Sequence, residues 1–218
     1  SEVASAVEAA QRAGPDWRRT AFSTRQRLLE TVASRLDAAA SDLARQMAIE
    51  IGKPLSYGLE EVRRAAQNLR DVARYAATHV PEKRENAGTV RYQPLNLVAV
   101  ISAWNNPVAI PLGKIAPALA YGNTVAWKAA PAATHIAQTV LRLLQDAGVP
   151  GDTVRLLTGD HTTARLLAAN VNVDAVTLTG SVQSGYSIQE ICAKRMAPFQ
   201  AELGGNNAAI VWDDADIG

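Results

Sequence analysis

Beyond residue 96 the chain alternates short apolar runs with segments of helix length, and no other feature constrains the fold so tightly. Residues 97–102, 124–127, 154–157, 175–178 and 208–212 are strand-sized and mostly apolar at consecutive positions. A strand apolar on both sides must be covered on both faces, which is the situation of a parallel sheet lying between layers of helices. The connecting segments suit that role. Residues 111–121 and 134–147 carry apolar side chains at three- and four-residue spacing and stop at Gly122 and Gly148, where glycine admits the left-handed backbone that closes a helix. In such a sheet the loops at the carboxyl ends of the strands are open to ligand, so function is sought there.

The first third reads differently. Leu28, Leu29, Val32 and Leu36 gather on one helical face, Leu43 and Met47 repeat the spacing, and Arg25, Arg27, Arg35 and Asp37 are expected on the wet side. Gly52-Lys53-Pro54 ends that run, and a second helix is predicted over residues 57–78. The polar stretch 81–88 then leads to residues 89–93, which alternate like a strand. The expected organisation is a helical part over residues 1–88 and an α/β core over residues 89–218. No internal repeat suggests a solenoid.

Composition narrows the ligand. With 218 residues, 48% of them hydrophobic, the chain can bury a substantial core. The formal net charge is +1 and the basic residues are scattered, so neither nucleic acid nor an anionic membrane is an expected partner; a small molecule is. No apolar stretch is long enough to span a bilayer. The single cysteine, Cys192, allows no internal disulfide and fits a reducing cytosol, so a cytoplasmic location is expected. The start lacks the features of a secretion signal. The absence of an initiator methionine, with the ending Asp216-Ile217-Gly218, suggests a piece of a longer product, processing being the other explanation of the first residue.

Three segments carry chemistry. Thr179-Gly180-Ser181 follows a predicted strand and Gly185 falls in the first turn of the next helix, so small residues would let a phosphate or ribose reach unpaired amides at a helix N-terminus. This is not the G-x-G-x-x-G fingerprint, and a plain tight turn is the alternative. Lys128 ends a predicted buried strand, where it either donates to a ligand or is a solvated sheet-edge lysine. Gln200-Ala201-Glu202-Leu203-Gly204-Gly205 sets a carboxylate beside two glycines. None of His79, His135 and His161 clusters with other ligands at metal-binding spacing, so no metal site is expected.

The order of these segments resembles the aldehyde dehydrogenase family. Glu202-Leu203-Gly204-Gly205 is similar to that family's glutamate signature, Ser102-Ala103-Trp104-Asn105 to the strand end with its oxyanion asparagine, and residues 113–125 to the helix and glycine-asparagine turn that follow. Glu50-Ile51-Gly52-Lys53-Pro54 and Asp213-Asp214-Ala215-Asp216 extend the likeness over nearly the whole chain. The resemblance implies an α/β fold: a helical N-terminal segment, then a Rossmann-like, mostly parallel sheet with helices on both faces. It also implies oxidation of an aldehyde through a cysteine thioester, with NAD or NADP as cofactor and a homo-oligomeric complete protein.

The resemblance assigns roles to individual residues. Asn105 would donate to developing negative charge, while Asn106 is the turn residue ahead of Pro107; Glu202 would activate water against the thioester. Ile101, Ser102, Ala103 and Trp104 would line the cofactor at the first strand end. Lys128 would reach the adenosine ribose, and the Gly159 loop, Gly180, Ser181, Gly185, Leu203 and Gly204 would complete the cofactor cleft. Where the family usually has glutamate three positions after the lysine, this chain has Pro131, which accepts no ribose hydroxyl bond and so admits NADP beside NAD. Gly185-Tyr186 and Asn206-Asn207 resemble the succinylglutamate-semialdehyde branch without assigning a substrate. The family's nucleophilic cysteine follows the glutamate, whereas Cys192 precedes it in a predicted helix; Cys192 is therefore read as structural and the nucleophile is expected outside these residues. A non-catalytic nucleotide-binding or assembly module, and acyl transfer to coenzyme A, are the alternatives.

Overall fold

A computed structural model describes residues 2–79 and 82–218, with Glu85 described by its backbone alone. Four helices come first: α1 (Glu2–Arg19), α2 (Phe22–Ala38), α3 (Ala40–Ile51) and α4 (Leu55–His79). A small antiparallel hairpin follows, β1 (Lys83–Glu85) with β2 (Gly88–Val90). The alternating region then runs β3 (Leu97–Ile101), α5 (Ala109–Ala120), β4 (Thr124–Lys128), a 3-10 turn at Pro131–Ala133, α6 (Thr134–Asp146), β5 (Val154–Leu157), α7 (His161–Ala169), β6 (Ala175–Thr179), α8 (Val182–Lys194) and β7 (Phe199–Glu202).

Strands β3 to β7 form one all-parallel sheet in the order β5-β4-β3-β6-β7. The chain starts at β3, builds outward to β5, crosses back and continues through β6 to β7. That reversal puts a crevice between the carboxyl ends of β3 and β6. Consecutive residues of β3 serve opposite faces: Leu97, Ala99 and Ile101 pack with residues of α1, α7 and α8, whereas Val100 packs with residues of α2 to α6. Two buried clusters thus sandwich the sheet, and the N-terminal helices contribute to both.

Glycine backbones do what the spacing predicted at the helix ends, with φ of +84° at Gly122, +96° at Gly148 and +70° at Gly52. At Gly58 the reason is packing, since a Cβ there would lie 3.1 Å from Ala44 Cα, where α3 and α4 approach.

Three expectations are corrected. Residues 208–212 form no strand: Ile210, Val211 and Trp212 are 85%, 67% and 71% exposed, and no ladder runs through them. The fifth strand is Phe199–Glu202, which pairs with β6 despite its polar Gln200 and Glu202. Apolar character alone makes no strand when no neighbour offers a ladder. The polar stretch ahead of Gly88 contains β1, and of residues 89–93 only Thr89 and Val90 lie in a strand. Arg25 is buried at 6% exposure, its guanidinium donating to Ala120 O at 3.1 Å and to carbonyls of the α1 C-terminus and of Thr20. A five-donor side chain can satisfy several orphan carbonyls at once, which is why an arginine sits where the pattern called for water.

Candidate functional site

The carboxyl ends of the strands lie in ladder register. Ile101 of β3 pairs with Lys128 on one side and Leu178 on the other, Lys128 pairs with Leu157, and Thr179 pairs with Glu202. From β4 to β7 is three strand spacings, roughly 14 Å across the sheet, with the switch-point crevice in the middle. Lys128 and Glu202 therefore stand on either side of the switch point along one carboxyl edge of the sheet.

The helix N-termini around this edge are not equivalent. That of α5 is closed by the carboxylate of Glu61, which accepts the backbone N–H groups of Val108 and Ala109 at 2.9 Å each. That of α6 is closed by Glu50, accepting from His135 and Ile136 at 2.8 and 2.9 Å. Asp160 caps α7, its carboxylate accepting from Thr162 N at 2.8 Å. Only α8 is capped by a neutral side chain: Ser181 Oγ accepts from Ser184 N at 3.1 Å, and the amides of Val182 and Gln183 have no partner among the described residues. A dipole end without a resident carboxylate is able to accommodate an anionic group, and among these helices that end is α8.

At the first strand end, Ile101 is buried in the core and Ser102 Oγ accepts the indole N–H of Trp127 at 2.9 Å. The Ser102 backbone N–H continues the ladder to Lys128 O at 3.1 Å. Ala103 is half-buried, and Trp104 and Asn105 are exposed, with no hydrogen bond to the Asn105 amide among the described residues.

Lys128 is 6% exposed and takes part in none of the ion pairs among the described residues. Burial pulls its pKa below the ordinary lysine value, partly opposed by attraction to Asp160. A desolvated cation left unpaired at the carboxyl edge of the sheet is what a hydroxyl or phosphate would satisfy. Pro131 is exposed at the start of the 3-10 turn that leads into α6.

The glycines divide by cause. Gly159 has φ of +128°, and a Cβ there would lie 2.3 Å from Thr163 Oγ1, so its backbone and its surroundings both require glycine. A Cβ on Gly180 or Gly204 would meet only ordinary contacts, at 3.6 and 3.5 Å. Gly185 is buried for a reason its sequence position did not suggest: a Cβ would lie 2.6 Å from Leu203 Cδ1, so the missing side chain makes room for Leu203 to seat on α8. That contact ties the residue after Glu202 to the first turn of α8.

Glu202 is exposed at the end of β7, its carbonyl accepting from Gly180 N at 3.1 Å. Its carboxylate accepts from Gln200 Nε2 at 2.9 Å, and Gln200 Oε1 in turn accepts from Lys114 of α5 at 2.7 Å and from Thr177. Burial lowers the Lys114 pKa, with the field of Glu202 opposing. Lys114 and Gln200 were missed in the sequence. Had residues 199–202 been read as a strand, the two-residue spacing of Gln200 and Glu202 would have put both on one face. Cys192 lies in α8 at 1% exposure, and burial pushes its thiol pKa up against a smaller opposing effect of Arg195, the reverse of what a nucleophile needs.

A doubly wound parallel sheet with its open helix N-terminus and unpaired lysine at the switch-point edge is a Rossmann-like, nucleotide-binding architecture. Comparison with known proteins carries this to a family: all 218 residues match the model described as the aldehyde dehydrogenase family, and the chain belongs to it. It is 34% identical to the N-succinylglutamate 5-semialdehyde dehydrogenase of Sphingopyxis alaskensis, over 100% of this chain and 46% of that protein. It is 37% identical to the alpha-ketoglutaric semialdehyde dehydrogenase of Bacillus subtilis, over 99% of this chain and 46% of that protein. Among solved structures, the NADP-dependent glyceraldehyde-3-phosphate dehydrogenase of Bacillus halodurans, complexed with NADP, superposes with a TM-score of 0.89 at 31% identity, covering 99% of this chain and 47% of that one. The chain spans about half the length of the curated relatives it matches.

Proposed function

We propose that the complete protein oxidises a small aldehyde to a carboxylate through a cysteine thioester, and that these residues supply cofactor binding, the oxyanion donor Asn105 and the general base Glu202. The observation that carries this reading is the shared sheet edge, where Lys128, the loop bearing Asn105, the open α8 N-terminus and Glu202 lie on consecutive strand ends. Membership of the family supports it.

The residues present fit a dinucleotide. The pyrophosphate is assigned to the amides at the start of α8, a ribose to Lys128, and the remaining contacts to Ile101, Ser102, Ala103, Trp104, the Gly159 loop, Gly180, Leu203 and Gly204. When bound, NAD or NADP supplies the hydride acceptor. Pro131 brings no carboxylate against a 2′-phosphate, which leaves both cofactors open. Asn105 donates its neutral amide to the oxyanion formed when a thiolate from outside these residues attacks the aldehyde carbon. Glu202 then takes a proton from water as it attacks the thioester, and Gln200 holds the carboxylate from the side. The reading includes a homo-oligomeric, cytoplasmic enzyme; among the described residues no helix is long and apolar enough to cross a membrane.

The test is rapid-quench kinetics on the complete protein with an aldehyde panel and both cofactors. Asn105→Ala should slow the first burst of NADH or NADPH by about 10²–10³-fold, the usual cost of one oxyanion donor. Glu202→Gln should leave that burst and slow the later turnovers. A burst unchanged by the first variant and steady turnover unchanged by the second would sink the assignment of roles.

A further inference from the structure

We propose that Lys53 and Glu61, both outside the sheet, are positioning residues that hold the loop bearing Asn105, so that the oxyanion donor is set from the helical layer. The inference rests on the role proposed for Asn105. Lys53 follows the left-handed Gly52 at the end of α3, and its own backbone N–H is tied to Met47 O at 3.3 Å. From there its ammonium donates to three acceptors: the Asn105 backbone carbonyl at 2.9 Å, Asn106 Oδ1 at 2.8 Å and the carboxylate of Glu61. An ammonium has three N–H bonds, so all of its donor capacity is spent on this loop and its anchor.

Glu61 completes the clamp. Its side chain is 0% exposed, one oxygen pairs with Lys53, and the other accepts the backbone amides of Val108 and Ala109 where the loop enters α5. The segment from Asn105 to Ala109 is thus gripped at both ends by one ion pair, Lys53 lying 52 residues before Asn105 and Glu61 47 before Val108, while the Asn105 side-chain amide has no partner among the described residues. A charge pair in which Glu61 is fully buried and Lys53 only 13% exposed, and whose remaining partners all lie on one loop, is poorly explained as a general stabiliser, since a well-packed apolar pair would serve that purpose as well. Its geometry suits fixing a donor that must point at one spot.

The experiment compares wild type, Lys53→Met, Lys53→Arg, Asn105→Ala and the Lys53→Met/Asn105→Ala double variant of the complete protein. The first-turnover rate at saturating aldehyde and cofactor should fall by about 10²-fold in Lys53→Met, as misplacement of roughly an ångström does. It should recover in part with arginine, and fall no further when Lys53→Met is added to Asn105→Ala. The cofactor dissociation constant should stay within about twofold throughout. An equal loss in both backgrounds, or none, overturns the proposal.

Hydrogen exchange provides a second measurement independent of turnover. Glu61→Gln should speed exchange of the 105–109 segment by about tenfold or more and leave β3 unchanged, because the amides of Val108 and Ala109 lose a charged acceptor. Unchanged exchange overturns the clamp even if the kinetics are affected. A wild type that reduces neither cofactor with any aldehyde would instead sink the dehydrogenase reading, with the exchange result still deciding whether the clamp exists.

Discussion

Single positions at the strand ends carry opposing demands. Lys128 is desolvated without an ion pair, so it costs stability in the absence of ligand. Replacement by methionine, similar in reach and without the charge, should raise the unfolding free energy by about 1 kcal/mol, or about 2–4 °C in Tm, while weakening dinucleotide binding. The sign of the pH effect follows from the lowered native pKa. Below it both native and unfolded lysine are protonated and the full cost is present; as pH rises from there toward 10.5, the native state releases its proton first and the cost fades. Wild type should therefore gain on Lys128→Met across that alkaline window in paired urea titrations. Undiminished cofactor affinity in the variant would remove Lys128 from the site. Gly185 makes a different prediction. Alanine there would meet Leu203, so Gly185→Ala should cost about 1–3 kcal/mol alone and much less when Leu203 is also alanine. Equal costs in the two backgrounds, by chemical denaturation, would rule out Leu203 as the residue that demands glycine.

Among the elements, α8 stands apart because its N-terminus keeps a neutral cap while the other crossover helices end against carboxylates. Ser181→Asp should preserve the cap and hold or raise stability, yet occupy the dipole with a fixed negative charge and weaken dinucleotide binding by about tenfold or more. Ser181→Ala should do the reverse, losing about 1 kcal/mol of stability with a smaller effect on binding. Calorimetric titration with NAD and NADP beside thermal unfolding would separate the two. Equal binding by Ser181→Asp and wild type would move the phosphate elsewhere.

At the scale of the whole molecule, two buried clusters join the N-terminal helices to the sheet, and Cys192 belongs to the second of them. Its thiol is buried, which pushes its pKa up, and lies within the helix rather than at its open end. Cys192→Ala should cost roughly 1 kcal/mol and leave aldehyde turnover of the complete protein unchanged within twofold. Loss of the burst in that variant, with folding intact by circular dichroism, would make Cys192 the nucleophile after all.

The alternation of apolar runs with helical spacing was enough to specify a parallel sheet with two helical layers, because a strand buried on both faces leaves a continuous apolar run and a crossover helix leaves a periodic one. The glycines at 52, 122 and 148 marked helix ends for the same local reason. Lys128, the start of α8 and Glu202 were legible as strand-end residues once the strands were placed, Glu202 through its motif rather than its strand. What the sequence withheld is what distant segments do to one another. Residues 208–212 look more like a strand than 199–202, but β6 offers its ladder to the latter. Arg25 looks solvated until the carbonyls of α1 and α5 converge on it. Gly185 carries no local sign that Leu203, just past the end of β7, packs against it. Lys53, Glu61 and the loop of Asn105 carry no local signal of belonging together, because hydrogen bonds and close packing form between residues that are neighbours only after folding. Local periodicity therefore determined the layers, and long-range contact alone decided how the carboxyl edge of the sheet was finished.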